Sequence, residues 1–262
     1  MKIYINTDLE GVCGVFSKEH LFPGERLYPE ARKLLSQEVD AAVKGAFDGG
    51  ADEVIVLDGH GGACHFLINE MDERAQYIQG SGRNQWLPNL AGSDGIFLIG
   101  VHAKAGTEGA VLDHTQSLEG VRSIKVNKIE IGEIGQVALI AGAWGIPVVL
   151  VSGDDKACAE AQSLIPQIEQ VIVKKAISRY SAMHLHPQKA CTLIFEAAKR
   201  AVSLCKAIKP YSIPGPYSAT IELATTDIAQ GTLAYIPRQC EYHFLNSRTI
   251  EFKADDIRKL FP

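Results

Sequence analysis

Short apolar runs and longer segments with helical periodicity alternate along the first two thirds of the chain. Apolar side chains at Leu35, Val39 and Val43 form one stripe of a helix predicted over 29–47, and a second helix is predicted from Glu133 onward. Apolar runs predict strands that begin at Lys2 and that lie at 53–57, 77–79, 96–101 and 148–151. This alternation is typical of an α/β fold with a mostly parallel, helix-covered sheet.

The pattern changes after Pro166 and indicates a second, smaller α+β domain. The elements predicted there are strands at 171–174, 218–223 and 249–252, a helix at 187–207 and a breaker-rich segment at 209–216. We therefore expect a larger α/β domain at 1–184 and a small α+β domain at 185–262. Alternating apolar residues at 121–131 predict a hairpin or an edge insertion in the larger domain.

Composition and charge narrow the range of partners. The chain has 262 residues, 46% of them hydrophobic and 22% charged, which is ordinary for a globular protein. A net charge of -5 gives no basic field for nucleic acid or for an anionic membrane surface, so we expect a small substrate.

The cysteine pattern and the N-terminus both favour a cytoplasmic location. The six cysteines include no CxxC pair, which argues against a disulfide framework or a thiolate metal cluster. The chain begins with a strand-like pattern rather than a signal peptide. The longest uncharged stretch, 134–152, contains Gly142, Gly145 and Pro147, and it predicts a buried helix followed by a strand instead of a membrane span.

Metal-ligating side chains follow three of the predicted strands. Asp8 and Glu10 are two residues apart after the first strand, and His60 and His102 follow the second and the fourth. Parallel strands end at the same edge of a sheet, so these side chains would meet there. Acidic residues after a strand also cap helices, and that is the alternative for Asp8 and Glu10 taken alone. Together the four residues predict a site for zinc or manganese.

Glu133 is a fifth candidate ligand, at the predicted start of the second helix. A first-turn glutamate is also favoured there by the helix dipole. Two histidines and three carboxylates exceed what one tetrahedral zinc with an open position needs, and a bridging carboxylate would let them hold two ions. We therefore expect two metal ions in one site.

Other polar residues near these strand ends have weaker signals. His114, in a Gly-rich loop after His102, is a candidate proton carrier or oxyanion donor, although loop histidines are often solvated. Asp58 is a candidate to orient the His60 ring. His65 could support a metal ligand from behind, but an ordinary surface position is favoured for it, and Asp154 is expected to cap the helix that follows it.

With these residues in view, the sequence resembles the D-aminopeptidase (DppA-like) family of metallopeptidases over nearly its whole length. The segments that carry the resemblance are Asp8-Leu9-Glu10-Gly11, Asp58-Gly59-His60, Gly100-Val101-His102-Ala103, the His114 loop, Gly132-Glu133-Ile134-Gly135 and Val151-Ser152-Gly153-Asp154-Asp155. The resemblance implies a dinuclear zinc centre with one catalytic histidine, His114. The zinc ligands that it implies are Asp8, Glu10, His60, His102 and Glu133.

The resemblance also implies an activity and an assembly. The expected activity is hydrolysis of short peptides with N-terminal D-amino acids, and the expected assembly is a homo-oligomer in the form of a ring. Two alternatives stay open, because a fold and its metals do not fix the scissile bond. One is another dimetal hydrolase, an amidase or a phosphoesterase, and the other is a non-catalytic α/β binding module.

Overall fold

The computed structural model describes residues 1–232 and 241–261, which form two sheets and five α-helices. The strands are β1 (Lys2–Thr7), β2 (Glu53–Asp58), β3 (Gln76–Ile78), β4 (Gly95–Val101), β5 (Val121–Val126), β6 (Ile129–Glu130), β7 (Val148–Asp154), β8 (Glu169–Ser178), β9 (Ser181–His184), β10 (Tyr217–Leu223), β11 (Glu241–Asn246) and β12 (Thr249–Ala254). The helices are α1 (Tyr28–Asp48), α2 (Glu133–Ala143), α3 (Asp155–Leu164), α4 (Pro187–Leu204) and α5 (Thr226–Thr232). None of the helices within these ranges has the length and apolar content of a membrane span.

The larger sheet has seven strands in the order β3-β2-β1-β4-β7-β8-β9. All neighbouring strands in it are parallel except β9, which is antiparallel to β8. Its central strands are covered by helices on both faces, and Ile96 to Ile99 of β4 are fully buried. The predicted α/β fold with a mostly parallel sheet is confirmed.

Helices α1 and α4 pack closely against each other because glycines within α1 and directly after its end lie at the contact. A Cβ added to Gly45 would lie 2.3 Å from the Phe195 carbonyl oxygen, and one added to Gly49 would lie 2.5 Å from that of Lys199. Proline at the second position of α1 and Gly49 directly after its end define the helix limits. The prediction of this helix over 29–47 is thus correct to within a residue at each end.

The second sheet is antiparallel and has five strands in the order β11-β12-β10-β5-β6. Strands β5 and β6 form the hairpin predicted at 121–131, and β5 pairs with β10, for example Val126 with Ala219. The two sheets do not divide the chain at 184/185. Strands β5 and β6 lie before this point but belong to the second sheet, and α4 lies after it but packs on α1, which lies on the larger sheet. The division into domains at 1–184 and 185–262 stays a prediction, and 233–240 and 262 lie outside the described residues.

The carboxyl ends of β1, β2 and β4 lie side by side at one edge of the larger sheet. The chain turns sharply after β1, and the Gly11 amide donates to the Gly100 carbonyl oxygen at 2.7 Å. A Cβ at Gly11 would lie only 2.0 Å from the Val101 carbonyl oxygen, so only glycine lets this turn pack against the end of β4. The turn places the side chains of Asp8 and Glu10 at the edge.

Candidate metal centre

Five sequence-distant segments contribute side chains to one buried cluster at this edge. Asp8 and Glu10 follow β1, His60 follows β2, and His102 follows β4. Glu133 is the first residue of α2, and His114 comes from the loop between β4 and β5. All of them are buried except Glu133, which is partly exposed. The structure therefore brings together every ligand residue and the catalytic histidine predicted from the sequence.

The structure defines two groups of possible ligand atoms, which are Asp8, Glu10 and His60 in the first and His102, His114 and Glu133 in the second.

Asp8 lies between two imidazoles and faces each with a different oxygen. Its Oδ1 is 3.1 Å from His60 Nδ1, and its Oδ2 is 3.2 Å from His102 Nε2. One carboxylate thus links two groups of side chains, each of which can supply three ligand atoms lying within 4.8 Å of one another. This is the arrangement that a carboxylate bridging two metal ions requires.

Glu10 and Glu133 complete the contacts on the two sides of Asp8. Glu10 Oε2 is 3.1 Å from His60 Nδ1, and Glu133 Oε1 is 3.5 Å from His102 Nε2. His114 Nε2 lies 3.9 Å from both Glu10 Oε1 and Glu133 Oε1. Each imidazole therefore faces two carboxylate groups.

Backbone carbonyls fix which nitrogen of each imidazole carries a proton. A carbonyl oxygen only accepts hydrogen bonds, so the ring nitrogen against it must donate, and the opposite nitrogen presents its lone pair to the carboxylates. The contacts are His60 Nε2 with the Leu21 oxygen at 3.2 Å, His102 Nδ1 with that of Ala103 at 2.9 Å, and His114 Nδ1 with that of Leu112 at 2.8 Å.

The lone pairs of the imidazole nitrogens and of the carboxylate oxygens thus face one another. They repel each other unless a positively charged ion lies between them. Both carboxylate oxygens of Glu10 are buried and have no hydrogen-bond partner among the described residues. An unpaired buried carboxylate costs several kcal/mol of folding free energy unless a cation compensates it. A mixed set of imidazole and carboxylate ligands suits zinc, so the residues present fit the ions predicted from the sequence.

The electrostatics of the cluster favour cations. Burial opposes ionisation of Asp8, yet the His102 and His60 imidazoles hold the pKa of its carboxyl well below the usual range. Burial also lowers the pKa of His60, but the Glu10 and Asp8 carboxylates outweigh it and raise that pKa well above the usual range. A site that raises the affinity of imidazoles for protons also raises the affinity of their nitrogens for divalent cations.

A cavity of about 1140 Å³ opens onto the cluster. Asp8, Glu10, His60 and Glu133 line it, and so does His114. The His114 ring stacks on that of His102, with ring centroids 3.8 Å apart and planes 12° apart. His102 is not among the described residues that line the cavity, so His114 stands between it and any bound molecule.

Comparison with known proteins agrees with this geometry. The sequence model of the family described as D-aminopeptidase matches residues 1–262. The chain belongs to the D-aminopeptidase family. A D-aminopeptidase of Bacillus subtilis (strain 168) is 31% identical over 265 residues, which cover 100% of this chain and 94% of the relative.

A solved structure of the family has the same fold. The Zn-dependent D-aminopeptidase DppA from Bacillus subtilis, described as a self-compartmentalizing protease, superposes with a TM-score of 0.91 at 30% identity. The match covers 99% of this chain and 94% of that one. The predicted family and the predicted class of activity, a metal-dependent aminopeptidase, are confirmed. Family membership does not favour the alternatives of a phosphoesterase, another amidase or a binding module.

No role was predicted for Lys174, whose ammonium group is buried against the backbone of Glu10, one of the proposed metal ligands. Its Nζ donates to the carbonyl oxygens of Glu10, Val12 and Val15, the latter two at 2.9 and 2.7 Å. Burial lowers the pKa of Lys174 to about 8. The three carbonyl acceptors match the three donors of the ammonium form, which fastens the turn after β1 to β8. The only signal in the sequence is a lysine inside an apolar run.

Two predictions about neighbouring residues were wrong. His65 is buried rather than at the surface, and its ring Nδ1 lies 2.9 Å from Asp58 Oδ1. Asp58 therefore holds His65 instead of His60, although the His65 ring in turn contacts that of His60 edge-on, with centroids 4.8 Å apart. The predicted cap is confirmed, because the Asp154 carboxylate accepts from the amides of Lys156 and Ala157 at 2.7 and 2.9 Å.

Proposed function

We propose that this protein is a dinuclear zinc aminopeptidase that hydrolyses short peptides with N-terminal D-amino acids. The observation that carries the proposal is the position of Asp8, whose two oxygens face two separate groups of imidazole and carboxylate ligands. The Zn-dependence of the DppA neighbour and the D-aminopeptidase activity in the name of the curated relative support it.

In this proposal the side chains of Asp8, Glu10, His60, His102 and Glu133 would hold the two ions. A zinc pair supplies Lewis-acid polarisation of the scissile carbonyl and lowers the pKa of water toward neutrality. The protein contributes the fixed orientation of the ligands. The carbonyls of Leu21 and Ala103 keep the imidazoles of His60 and His102 in the tautomers that ligation requires.

His114 carries protons in this proposal. Its Nδ1 donates to the Leu112 carbonyl, so Nε2 has a free lone pair at the cavity wall. Nε2 accepts a proton from the attacking water and passes it to the amine that leaves when the peptide bond breaks. The oxygen of the water bonds to the scissile carbonyl carbon, and the C–N bond breaks. The products are an amino acid with a new carboxyl group and a shortened peptide with a new amine.

Selectivity for D-residues must come from the cavity wall, because metal ions do not distinguish enantiomers. The wall combines the polar cluster with the aromatic side chains of Phe22 and Trp86. A shaped wall of this kind can place one substituent of the substrate's Cα and exclude its mirror image.

We also propose that the chain assembles into homo-oligomers, in the form of a ring, and acts in the cytoplasm. Support for assembly comes from the description of DppA as self-compartmentalizing. In this chain β11 is an edge strand of the second sheet, and it exposes Tyr242, Phe244 and Leu245 by 48%, 41% and 52%. Exposed apolar residues on a sheet edge are typical of surfaces that another subunit covers.

Metal analysis followed by a substrate panel tests the proposed activity. We expect two zinc ions per chain and hydrolysis of D-alanyl-D-alanine, with much slower hydrolysis of L-alanyl-L-alanine and no hydrolysis of a phosphodiester. Fewer than one zinc per chain after mild purification would contradict the metal centre. Preference for the L-dipeptide or for the phosphodiester would contradict the substrate class.

A further inference from the structure

The cavity wall holds a cation that the proposed chemistry does not use. Arg83 lines the same cavity as Asp8, Glu10 and His114. The other cationic side chain in the wall, Lys18, forms an ion pair with Glu119. Within the described parts of the chain, Arg83 has no carboxylate partner.

The contacts of Arg83 leave one edge of its guanidinium free. Nη1 donates to the carbonyl oxygens of Asp58 and Gly80, at 3.1 and 3.2 Å, and so uses both of its hydrogens. Neither Nη2 nor Nε donates to an acceptor among residues 1–232 and 241–261. These two atoms form the side of the guanidinium that binds a carboxylate through two parallel hydrogen bonds.

The anchoring contacts also hold the guanidinium near the proposed metal ligands. Asp58 is the last residue of β2, and His60 follows it by two positions. Two residues of chain span at most about 7 Å, so the Asp58 carbonyl that holds the guanidinium lies within that distance of the His60 backbone. Arg83 and His60 also line the same cavity, so a short peptide whose scissile bond lies at the cluster can extend its C-terminal carboxylate toward Arg83.

We infer that Arg83 binds the C-terminal carboxylate of the substrate and so selects free dipeptides and similarly short peptides. The inference rests on the proposed peptidase function and adds a recognition site to it. A guanidinium that is already held by two carbonyls loses little conformational entropy on binding, which favours such a role. Uniform binding of this kind lowers KM more than it raises kcat.

The test compares D-alanyl-D-alanine with D-alanyl-D-alaninamide, which lacks the terminal negative charge. For the wild type we expect kcat/KM to be roughly 10- to 100-fold higher on the free dipeptide, as for loss of a charged hydrogen-bond pair. Arg83→Met should remove that preference through KM and leave kcat/KM on the amide within about twofold. Arg83→Lys should restore part of it, because a lysine keeps the charge without the paired donors.

Arg200→Gln is the matched control, because Arg200 lies on α4 and pairs with Glu169. It should behave as the wild type on both substrates. Equal loss of activity on both substrates in Arg83→Met, or no loss on either, would overturn the role of Arg83. If the wild type hydrolyses neither substrate, the proposed function fails, and calorimetric binding of D-alanyl-D-alanine to wild type and Arg83→Met then decides the carboxylate site separately.

Discussion

His114 stacks on His102 with the two ring planes nearly parallel, 3.8 Å apart at their centroids. The two imidazoles share a tautomer, since each donates through Nδ1 to a backbone carbonyl and directs Nε2 toward carboxylates. They differ in position, because His114 lines the cavity and His102 lies behind it. In the proposed mechanism, the same ring type in the same orientation thus has two different roles, ligation by His102 and proton transfer by His114.

This difference predicts different defects for the same substitution at His114 and at His102. His114→Gln should lower kcat roughly 100- to 10,000-fold, as for removal of a general acid or base, while the protein keeps its zinc. His102→Gln should lose at least one zinc ion per chain. Metal content and steady-state kinetics of both variants check this. Loss of zinc in His114→Gln together with full zinc in His102→Gln would reverse the assignment.

Acidification should weaken zinc binding. Burial lowers the pKa of His60 and His102, but the neighbouring carboxylates outweigh it and raise both pKa values well above the usual value for histidine, so in the absence of metal both rings bind protons more tightly than a free imidazole does. Zinc must displace those protons, and its affinity therefore falls as pH falls below the raised pKa values. Two competing protons change the affinity by up to about 100-fold per pH unit.

A chelator competition carried out at about pH 6 and pH 8 measures this effect, and calorimetry in buffers of different ionisation enthalpy counts the released protons. The same zinc affinity at both pH values, with no proton release, would contradict the charge distribution derived for the cluster.

Removal of the buried ammonium group should destabilise the fold. Lys174→Met leaves the carbonyl oxygens of Glu10, Val12 and Val15 without their donor, and we expect the free energy of unfolding to fall by about 3 kcal/mol. Lys175→Met is the control, because Lys175 is exposed on the same strand, and its effect should stay within about 0.5 kcal/mol. Denaturant unfolding of both variants gives the comparison. Equal stability of the two would mean that the three contacts contribute nothing.

Disruption of the β11 edge should change the native mass. Phe244→Glu places a charge in the exposed apolar surface of β11, and we expect smaller assemblies because a buried unpaired charge opposes association. Leu193→Glu, at a similarly exposed leucine on α4, should keep the mass of the wild type. Light scattering after gel filtration gives the masses. A smaller native mass for Leu193→Glu, with an unchanged mass for Phe244→Glu, would place the subunit contact on α4 instead of β11.

The sequence was sufficient to predict the main sheet and the cluster of metal-ligating residues. Parallel strands with apolar runs end at a common edge, so Asp8, His60 and His102 could be placed together without coordinates. Glu133 was a candidate from its place at the start of α2, and His114 was a candidate from its loop after His102. The family resemblance then supplied zinc and the peptide substrate.

Other features depend on contacts that no local pattern reveals. The pairing of β5 with β10 joins residues far apart in sequence, for example Lys125 with Thr220, 95 positions later, so sheet membership could not be predicted from either segment alone. The strands β9 and β11 and the short helix α5 were not predicted, since their sequences lack clear periodicity. The partners of Asp58 and Lys174 were also not predicted. A sequence shows that a charged residue is present, but it does not show toward which neighbour a buried side chain points.

In the proposed centre, side chains from distant parts of the chain enclose two zinc ions, with Asp8 between them. X-ray diffraction measured on both sides of the zinc absorption edge locates such ions. We expect two anomalous peaks at the carboxyl ends of β1, β2 and β4, one on each side of the Asp8 carboxylate. A single peak elsewhere, or no peak at this edge of the sheet in crystals grown with zinc, would rule out the proposed dinuclear centre.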